Sequence, residues 1–129
     1  MSQYFDLGDE TLWNPATGVA RVFLRHVALF EDELGIASGI GPMVADECQV
    51  DPVAYGAFAN ALLAWHRAHG HTVLVALSEG FVATALALAE RARIEVRWDA
   101  LDHALREDPA TWQAELREKV AALMPAVSP

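Results

Sequence analysis

The sequence predicts a mostly α-helical fold: a small bundle of four or five helices, with a short pair of β-strands at one edge. Three Asx-Pro dipeptides, at 14–15, 51–52 and 108–109, mark helix starts, because Asn or Asp caps a helix and proline fits its first turn. Apolar residues recur at helical spacing after each of them. The chain has 129 residues, of which 53% are hydrophobic, and we expect one domain with its own core.

The first predicted helix spans 15–34, and its apolar stripe begins at Val19. Gly35 follows as a natural stop, because glycine readily adopts the left-handed conformation that ends helices. The second predicted helix spans 52–69, and four large residues lie on one of its faces: Tyr55, Phe58, Leu62 and Trp65.

The segment 71–93 has two interpretations. Almost every position before Glu90 is apolar, which is typical of a buried central helix. The alternative is an α/β fold with one βαβ unit at 72–98, in which 72–77 and 94–98 are strands around a shorter helix. We prefer the continuous helix, because few other segments are strand candidates that would complete a parallel sheet.

The last predicted helix begins at 108–109 and carries an apolar stripe of Trp112, Leu116, Val120 and Leu123. A shorter turn, 99–107, precedes it. Two weakly alternating segments, 3–7 and 94–98, are predicted to pair as the edge strands. The chain is therefore expected to be one domain over 1–129, with a core at 1–98 and a helical extension at 99–129.

The net charge of the chain restricts the kinds of partner that it can bind. The chain has nine basic and eighteen acidic residues, a net charge of −9, and the first fifty residues hold eight of the acids. This balance argues against nucleic acid and against anionic membrane surfaces as partners.

A lone cysteine excludes an internal disulfide. No basic, apolar leader opens the chain, and Glu79 interrupts its longest apolar stretch, so we expect a cytoplasmic protein.

Five short motifs together resemble a known family: Tyr4-Phe5-Asp6, Leu12-Trp13-Asn14-Pro15, Gly-Ile-Gly-Pro-Met at 39–43, Asp46-Glu47-Cys48 and Gly-Phe-Val-Ala-Thr at 80–84. The sequence is similar to a family of small actinobacterial proteins of unknown function, over residues 2–97. The resemblance implies a continuous third helix. It implies no activity, cofactor or catalytic residue.

The candidate ligand-binding residues centre on Asp46, Glu47 and Cys48, which offer two carboxylates and a thiol. Cys48 would act as a nucleophile only beside a histidine such as His26 or His66, and the adjacent carboxylates oppose a reactive thiolate. An inert cysteine is the favoured interpretation. Trp13, near an element end, completes the candidate set, since an indole there can line a pocket as well as pack.

Two further features of the sequence are candidate sites. His66, His69 and His71 have spacing that would suit a metal, but histidines at a helix C-terminus also interact favourably with the helix dipole, and we predict no metal and no cofactor. The glycine-rich segment 35–50 is predicted to be a turn-rich connection between helices. It is longer than most connections in a helical bundle, and the alternative is that it closes a pocket.

Three hypotheses for function follow. The first is a small acidic interaction protein, in one form an immunity- or antitoxin-like binder of a basic protein partner. The second is a small-molecule-binding protein or enzyme whose pocket is closed by the 35–50 loop. The third is a homodimer that pairs or exchanges the C-terminal helix. The sequence leaves open whether the protein is an enzyme.

Overall fold

A computed structural model describes residues 1–68, 71–98, 114–115 and 118. Its elements, in chain order, are β1 (Tyr4–Leu7), β2 (Glu10–Trp13), α1 (Thr17–Leu34), β3 (Glu47–Gln49), α2 (Pro52–Ala68) and α3 (Thr72–Arg91). Within the described residues, three helices therefore pack with a three-stranded mixed sheet. The predicted bundle of four or five helices is wrong, and the α/β alternative fits better. That alternative was not correct in detail, because 72–91 is one helix and not a βαβ unit.

The sheet has the strand order β2-β1-β3. Strands β1 and β2 are antiparallel and joined by a tight turn at Gly8, whose φ of +60° suits glycine. Strand β3 lies parallel to β1, with α1 in the connection between them. Each strand has only three or four residues, which is too short for hydrophobic periodicity to identify.

A β-bulge in β2 allows two adjacent residues of that strand to pack into the core. The register between β1 and β2 shifts after Phe5, so that Leu12 and Trp13 together face one residue of the neighbouring strand. Both are therefore buried, although adjacent residues in a regular strand point to opposite faces. The opposite face of the sheet is covered by no described helix.

The predicted pairing of 3–7 with 94–98 is wrong. The first segment is a strand, but its partners are β2 and β3. The second is not a strand and instead runs beside α2. There the Asn60 amide donates to the Glu95 carbonyl at 3.1 Å and accepts from the Arg97 N–H at 2.7 Å. A side chain of α2 thus supplies the hydrogen bonds that a neighbouring strand would have given.

Helix boundaries agree with most of the sequence signals. Helix α1 begins at Thr17, two residues later than predicted, because Pro15 and Ala16 still pair with the N-terminal residues of the chain. Gly35 ends it in the left-handed conformation, as predicted. Asp51 caps α2 through its carboxylate, which accepts from the Val53 N–H at 3.0 Å.

Helix α3 is continuous, as the resemblance implied, and it is the buried helix that its apolar sequence predicted. Phe81 lies at its centre and contacts three rings of α1, those of Phe23, His26 and Phe30. By length and composition α3 could also cross a membrane, and among the described residues no other helix could. Half of its apolar window is buried inside the domain, as in core helices of globular proteins.

The predicted turn at 99–107 and most of the last predicted helix lie outside the described residues. Of that helix, Ala114, Glu115 and Glu118 are described, and all three are helical and exposed.

Candidate functional site

The face of the sheet that no described helix covers forms the floor of a cleft of about 660 Å³, here called the acidic cleft. Asp6, Thr11 and Gln49 lie on this floor, because Asp6 is the register partner of both other residues. The walls are the β1–β2 turn, with Asp9, and the loop that precedes β3. The lining residues from that loop are Gly41, Pro42, Val44 and, at its end, Glu47.

Gln49 fixes the width of the acidic cleft. Its side-chain carbonyl accepts from the Gly8 N–H at 2.9 Å, and its amide donates to the Gly8 carbonyl at 3.3 Å. One side chain of β3 thus holds the β1–β2 turn through two hydrogen bonds. The turn that carries Asp9 is therefore held at a set distance from β3.

The loop wall is held by main-chain hydrogen bonds. The Gly41 N–H donates to the Gln49 carbonyl, and the Asp51 N–H donates to the Gly39 carbonyl, each at 2.8 Å. Residues 41–44 of the glycine-rich segment thus form one wall of the cleft. This wall lies against β3 as an added strand would.

A strained turn presents the carboxylates at the edge of this wall. Val44 and Glu47 exchange two main-chain hydrogen bonds around Ala45 and Asp46, whose φ angles are 52° and 64°. Alanine adopts this conformation at a cost of order 1 kcal/mol, whereas aspartate tolerates it. Glycine, asparagine and aspartate are usual in such a turn, so Ala45 is the residue that keeps a costly geometry beside the cleft.

The charge in the cleft has one sign. Asp6, Asp9 and Glu47 are the charged side chains of its lining. No ion pair joins any of the three to another described residue. Asp6 is nearly buried and accepts a hydrogen bond of 2.9 Å from the Thr11 hydroxyl. Asp9 and Glu47 are exposed, so the cleft offers two free carboxylates to solvent above a third.

The two arginines of the first fifty residues lie elsewhere. Arg21 and Arg25 belong to a second, smaller groove of about 390 Å³ along α1, lined also by Thr17, Leu24 and Met43. No arginine or lysine is among the described residues that line the acidic cleft.

Cys48 borders the cleft, but its thiol does not act in it. The side chain is 3% exposed and its residue is the register partner of Phe5, whose ring lies in the core. Burial, and secondarily the charge of Asp6, raises the pKa of the Cys48 thiol to about 11. At neutral pH the thiol stays protonated and is a poor nucleophile.

The other predicted site residues lie away from the cleft lining. Trp13 is buried against Phe5, with ring centroids 5.2 Å apart. His26 stacks on Phe81 and its Nδ1 is 2.9 Å from the Val22 carbonyl oxygen. Asp46 occupies the strained turn behind Glu47, where its carbonyl accepts from the Tyr4 N–H.

Two histidines of the 66–71 cluster, His66 and His71, serve packing and capping. His66 is 3% exposed, and its Nδ1 is 3.0 Å from the Ser78 hydroxyl. His71 is the N-cap of α3 and accepts from the Leu74 N–H at 3.4 Å. His69 lies outside the described residues. Among the residues that are described, no three His, Cys, Asp or Glu side chains are grouped to hold a metal ion.

The predicted ligand-binding residues did not include Asp6, Asp9, Thr11 or Gln49. The one available signal was Gly8-Asp9 between two short apolar segments, which is a hairpin signature. With that hairpin placed, strand alternation puts Asp6 and Thr11 on a single face. Nothing in the sequence indicated that β3 would join this pair in parallel and bring Gln49 beside them.

Comparison with known proteins gives a family and no function. No curated protein and no solved structure matches the chain. A family model, described as a family of unknown function (DUF6086), matches residues 1–129. The match includes the C-terminal residues that the resemblance left out, and it says nothing of the actinobacterial source, which stays a prediction. The chain therefore belongs to the family of unknown function DUF6086.

Proposed function

We propose that this chain is a small acidic interaction protein whose acidic cleft binds a basic segment of a protein partner. The observation that carries the proposal is the uncovered face of the sheet, whose charged lining consists of Asp6, Asp9 and Glu47. A partner's arginine or lysine would find two exposed carboxylates there and a third at the floor. An immunity- or antitoxin-like inhibitor of a basic protein is the specific form that we propose.

The geometry supports binding through preorganisation. Gln49 holds one wall of the cleft, and main-chain hydrogen bonds to β3 hold the other. Carboxylates that are fixed before a partner arrives lose little conformational entropy on binding. The net charge of −9 would also attract a basic partner over a distance of about the Debye length, ~8 Å at physiological salt.

The residues at the cleft support binding over covalent catalysis. A nucleophilic mechanism needs a reactive group beside a general base. Cys48 is buried and protonated. The Nδ1 atom of His26 contacts the Val22 carbonyl, and the Nδ1 atom of His66 contacts the Ser78 hydroxyl. We infer that the cleft binds its ligand without a covalent step.

A second candidate function is a small-molecule-binding protein that takes an organic cation in the same cleft. The volume of about 660 Å³ favours it, since small-molecule pockets commonly measure ~300–1,000 Å³. Spermidine is the probe that we would use. A cytoplasmic location and homodimer formation stay predictions.

The test is fluorescence anisotropy with a labelled nona-arginine peptide at low and at physiological salt. We expect Asp9→Asn/Glu47→Gln to weaken binding at least tenfold. The matched control is Asp32→Asn/Glu33→Gln, which removes the same charge from two exposed residues at the end of α1. The control should change affinity less than twofold.

Equal weakening by both double variants would mean that the peptide responds only to net charge, and it would overturn the cleft as the binding site. Spermidine that binds tightly and displaces the peptide would favour the second candidate instead. Binding of a nona-glutamate peptide with similar affinity would contradict both.

A further inference from the structure

Helix α1 carries two exposed arginines, Arg21 and Arg25, one helical turn apart. The other residues of the helix three or four positions away from them are Thr17, Gly18, Val22, Leu24, Ala28 and Leu29. None of these is acidic, and no ion pair joins either arginine to another described residue. Like charges at this spacing repel each other, so the helix keeps a mildly destabilising pair that a bound anion would relieve.

Both arginines line the smaller groove of about 390 Å³ beside α1, here called the arginine groove. The same face of the helix contributes Thr17, Leu24 and Ala28, and other segments of the chain contribute Gln3 and Met43. None of the described residues that line it is acidic. Small-molecule sites commonly measure ~300–1,000 Å³ and combine an apolar lining with a few polar groups that orient the ligand. The arginine groove has both properties.

Main-chain hydrogen bonds hold the two segments that border α1 at this groove. The Gln3 N–H donates to the Pro15 carbonyl at 2.9 Å, which fixes Gln3 beside the start of the helix. Next to Met43, Val44 and Glu47 exchange main-chain hydrogen bonds of 2.9 and 3.0 Å. Walls that are set by the backbone keep their shape without a ligand, which lowers the entropy cost of binding.

One polar side chain of the groove lacks a partner. Thr17 lines the groove, and its hydroxyl oxygen is buried without a hydrogen-bond partner among the described residues. Buried hydroxyls are almost always hydrogen-bonded. A ligand oxygen at this end of the groove would give the Thr17 hydroxyl the partner that it lacks.

We propose that the arginine groove binds a small organic anion, a carboxylate or phosphate monoester that is attached to an apolar body. Guanidinium groups bind the oxygens of carboxylates and phosphates through paired hydrogen bonds. The apolar body would lie against Leu24, Ala28 and Met43, and the flexible methionine side chain adapts to irregular shapes.

The arginine groove and the acidic cleft lie on the two sides of one loop. Pro42 and Val44 line the acidic cleft, whereas Met43 between them lines the arginine groove. Consecutive residues of an extended chain point to opposite sides, so this loop separates an acidic site from a basic one. The anion site therefore does not depend on the proposed function of the acidic cleft.

Isothermal titration calorimetry on the full chain tests the ligand class with two probes, octanoate and phenyl phosphate. We expect octanoate to bind at least tenfold more tightly than acetate and 1-octanol, or phenyl phosphate at least tenfold more tightly than inorganic phosphate. The probe that binds more tightly identifies the head group. If neither probe binds more tightly than its control, the proposal is overturned.

Two matched variants locate the binding. Arg21→Gln/Arg25→Gln should weaken binding of the tighter probe at least tenfold. Arg93→Gln/Arg97→Gln removes the same charge from two exposed arginines that do not line the groove, and it should change affinity less than twofold. Equal weakening by both double variants would show a response to net charge alone, and it would overturn the arginine groove as the site.

Thermal unfolding separates binding from folding. Because Arg21 and Arg25 repel each other, Arg21→Gln/Arg25→Gln should unfold at or above the wild-type Tm without ligand. The tighter probe should raise the Tm of the wild type but not that of this variant. A wild-type dimer in sedimentation velocity that the same variant abolishes would overturn the proposal, because the groove would then bind a second copy of the chain.

Discussion

The Tyr55 hydroxyl of α2 donates a hydrogen bond of 2.7 Å to the Ala85 carbonyl of α3, and both residues are fully buried. This contact joins the two helices at the centre of the core. Because a buried hydrogen bond contributes about 1 kcal/mol net, we expect Tyr55→Phe to lower the free energy of unfolding by ~0.5–1.5 kcal/mol. Urea denaturation measures the change.

Tyr4→Phe is the matched control for this prediction. Tyr4 is 38% exposed on the outer face of the sheet, and surface substitutions usually change stability by less than ~0.5 kcal/mol. Equal effects of the two variants would contradict the role of the Tyr55–Ala85 contact.

Alkaline pH should destabilise the fold through Cys48. Burial and Asp6 raise the pKa of its thiol from 9.0 to about 11, so above pH 9 the unfolded chain loses this proton before the folded chain does. The stability that the shift contributes is complete below pH 9 and is lost as pH rises toward 11, by at most ~1.4 kcal/mol per pH unit.

Denaturation in urea between pH 8 and pH 11 measures this loss, and Cys48→Ala should flatten it between pH 9 and pH 10. Burial also raises the pKa of Tyr55, so a decline above pH 10 should remain in Cys48→Ala. If Cys48→Ala and the wild type decline in parallel from pH 9 to pH 10, the thiol is not the titrating group.

Two glycines should respond oppositely to replacement by alanine. Gly39 has a φ of +79°, and an added Cβ would lie 2.7 Å from the Ala54 Cβ, so Gly39→Ala should cost more than ~1 kcal/mol. Gly18 lies in the first turn of α1 with nothing within 4 Å of its Cβ position. Gly18→Ala should stabilise by ~0.4–1 kcal/mol. Thermal unfolding compares the two, and a fall in Tm for Gly18→Ala would contradict the open space at that position.

The helices were predictable because their signals are local. Asp51 before a proline and Gly35 after an apolar stripe each act within one helical turn, and both have the expected roles in the structure. The continuity of α3 did not follow from its apolar sequence alone, which also fitted two short strands around a shorter helix. The scarcity of other strand candidates and the family resemblance favoured one helix, and α3 is a single helix of 20 residues.

The sheet was not predictable because its pairing is non-local. Strand β3 has three residues, and more than thirty residues of chain separate it from β1, with which it pairs. No local sequence pattern therefore indicates this pairing. The acidic cleft depends on that pairing, which brings Gln49 beside Asp6. The sequence predicted one candidate motif at Asp46, Glu47 and Cys48. Strand alternation separates its members, because Glu47 faces the cleft while Cys48 faces the core.

Gln49 offers a test of preorganisation that leaves the charge unchanged, and it depends on the proposed function. Gln49→Met removes two hydrogen bonds to the Gly8 main chain and releases the turn that carries Asp9. Ordering that turn on binding would then cost about 1 kcal/mol, so we expect roughly fivefold weaker binding of the nona-arginine peptide. The dependence of affinity on salt should match that of the wild type, because every carboxylate is retained, whereas Asp9→Asn/Glu47→Gln should reduce it. Wild-type affinity in Gln49→Met would show that a fixed turn is not needed, and would leave charge alone as the basis of recognition.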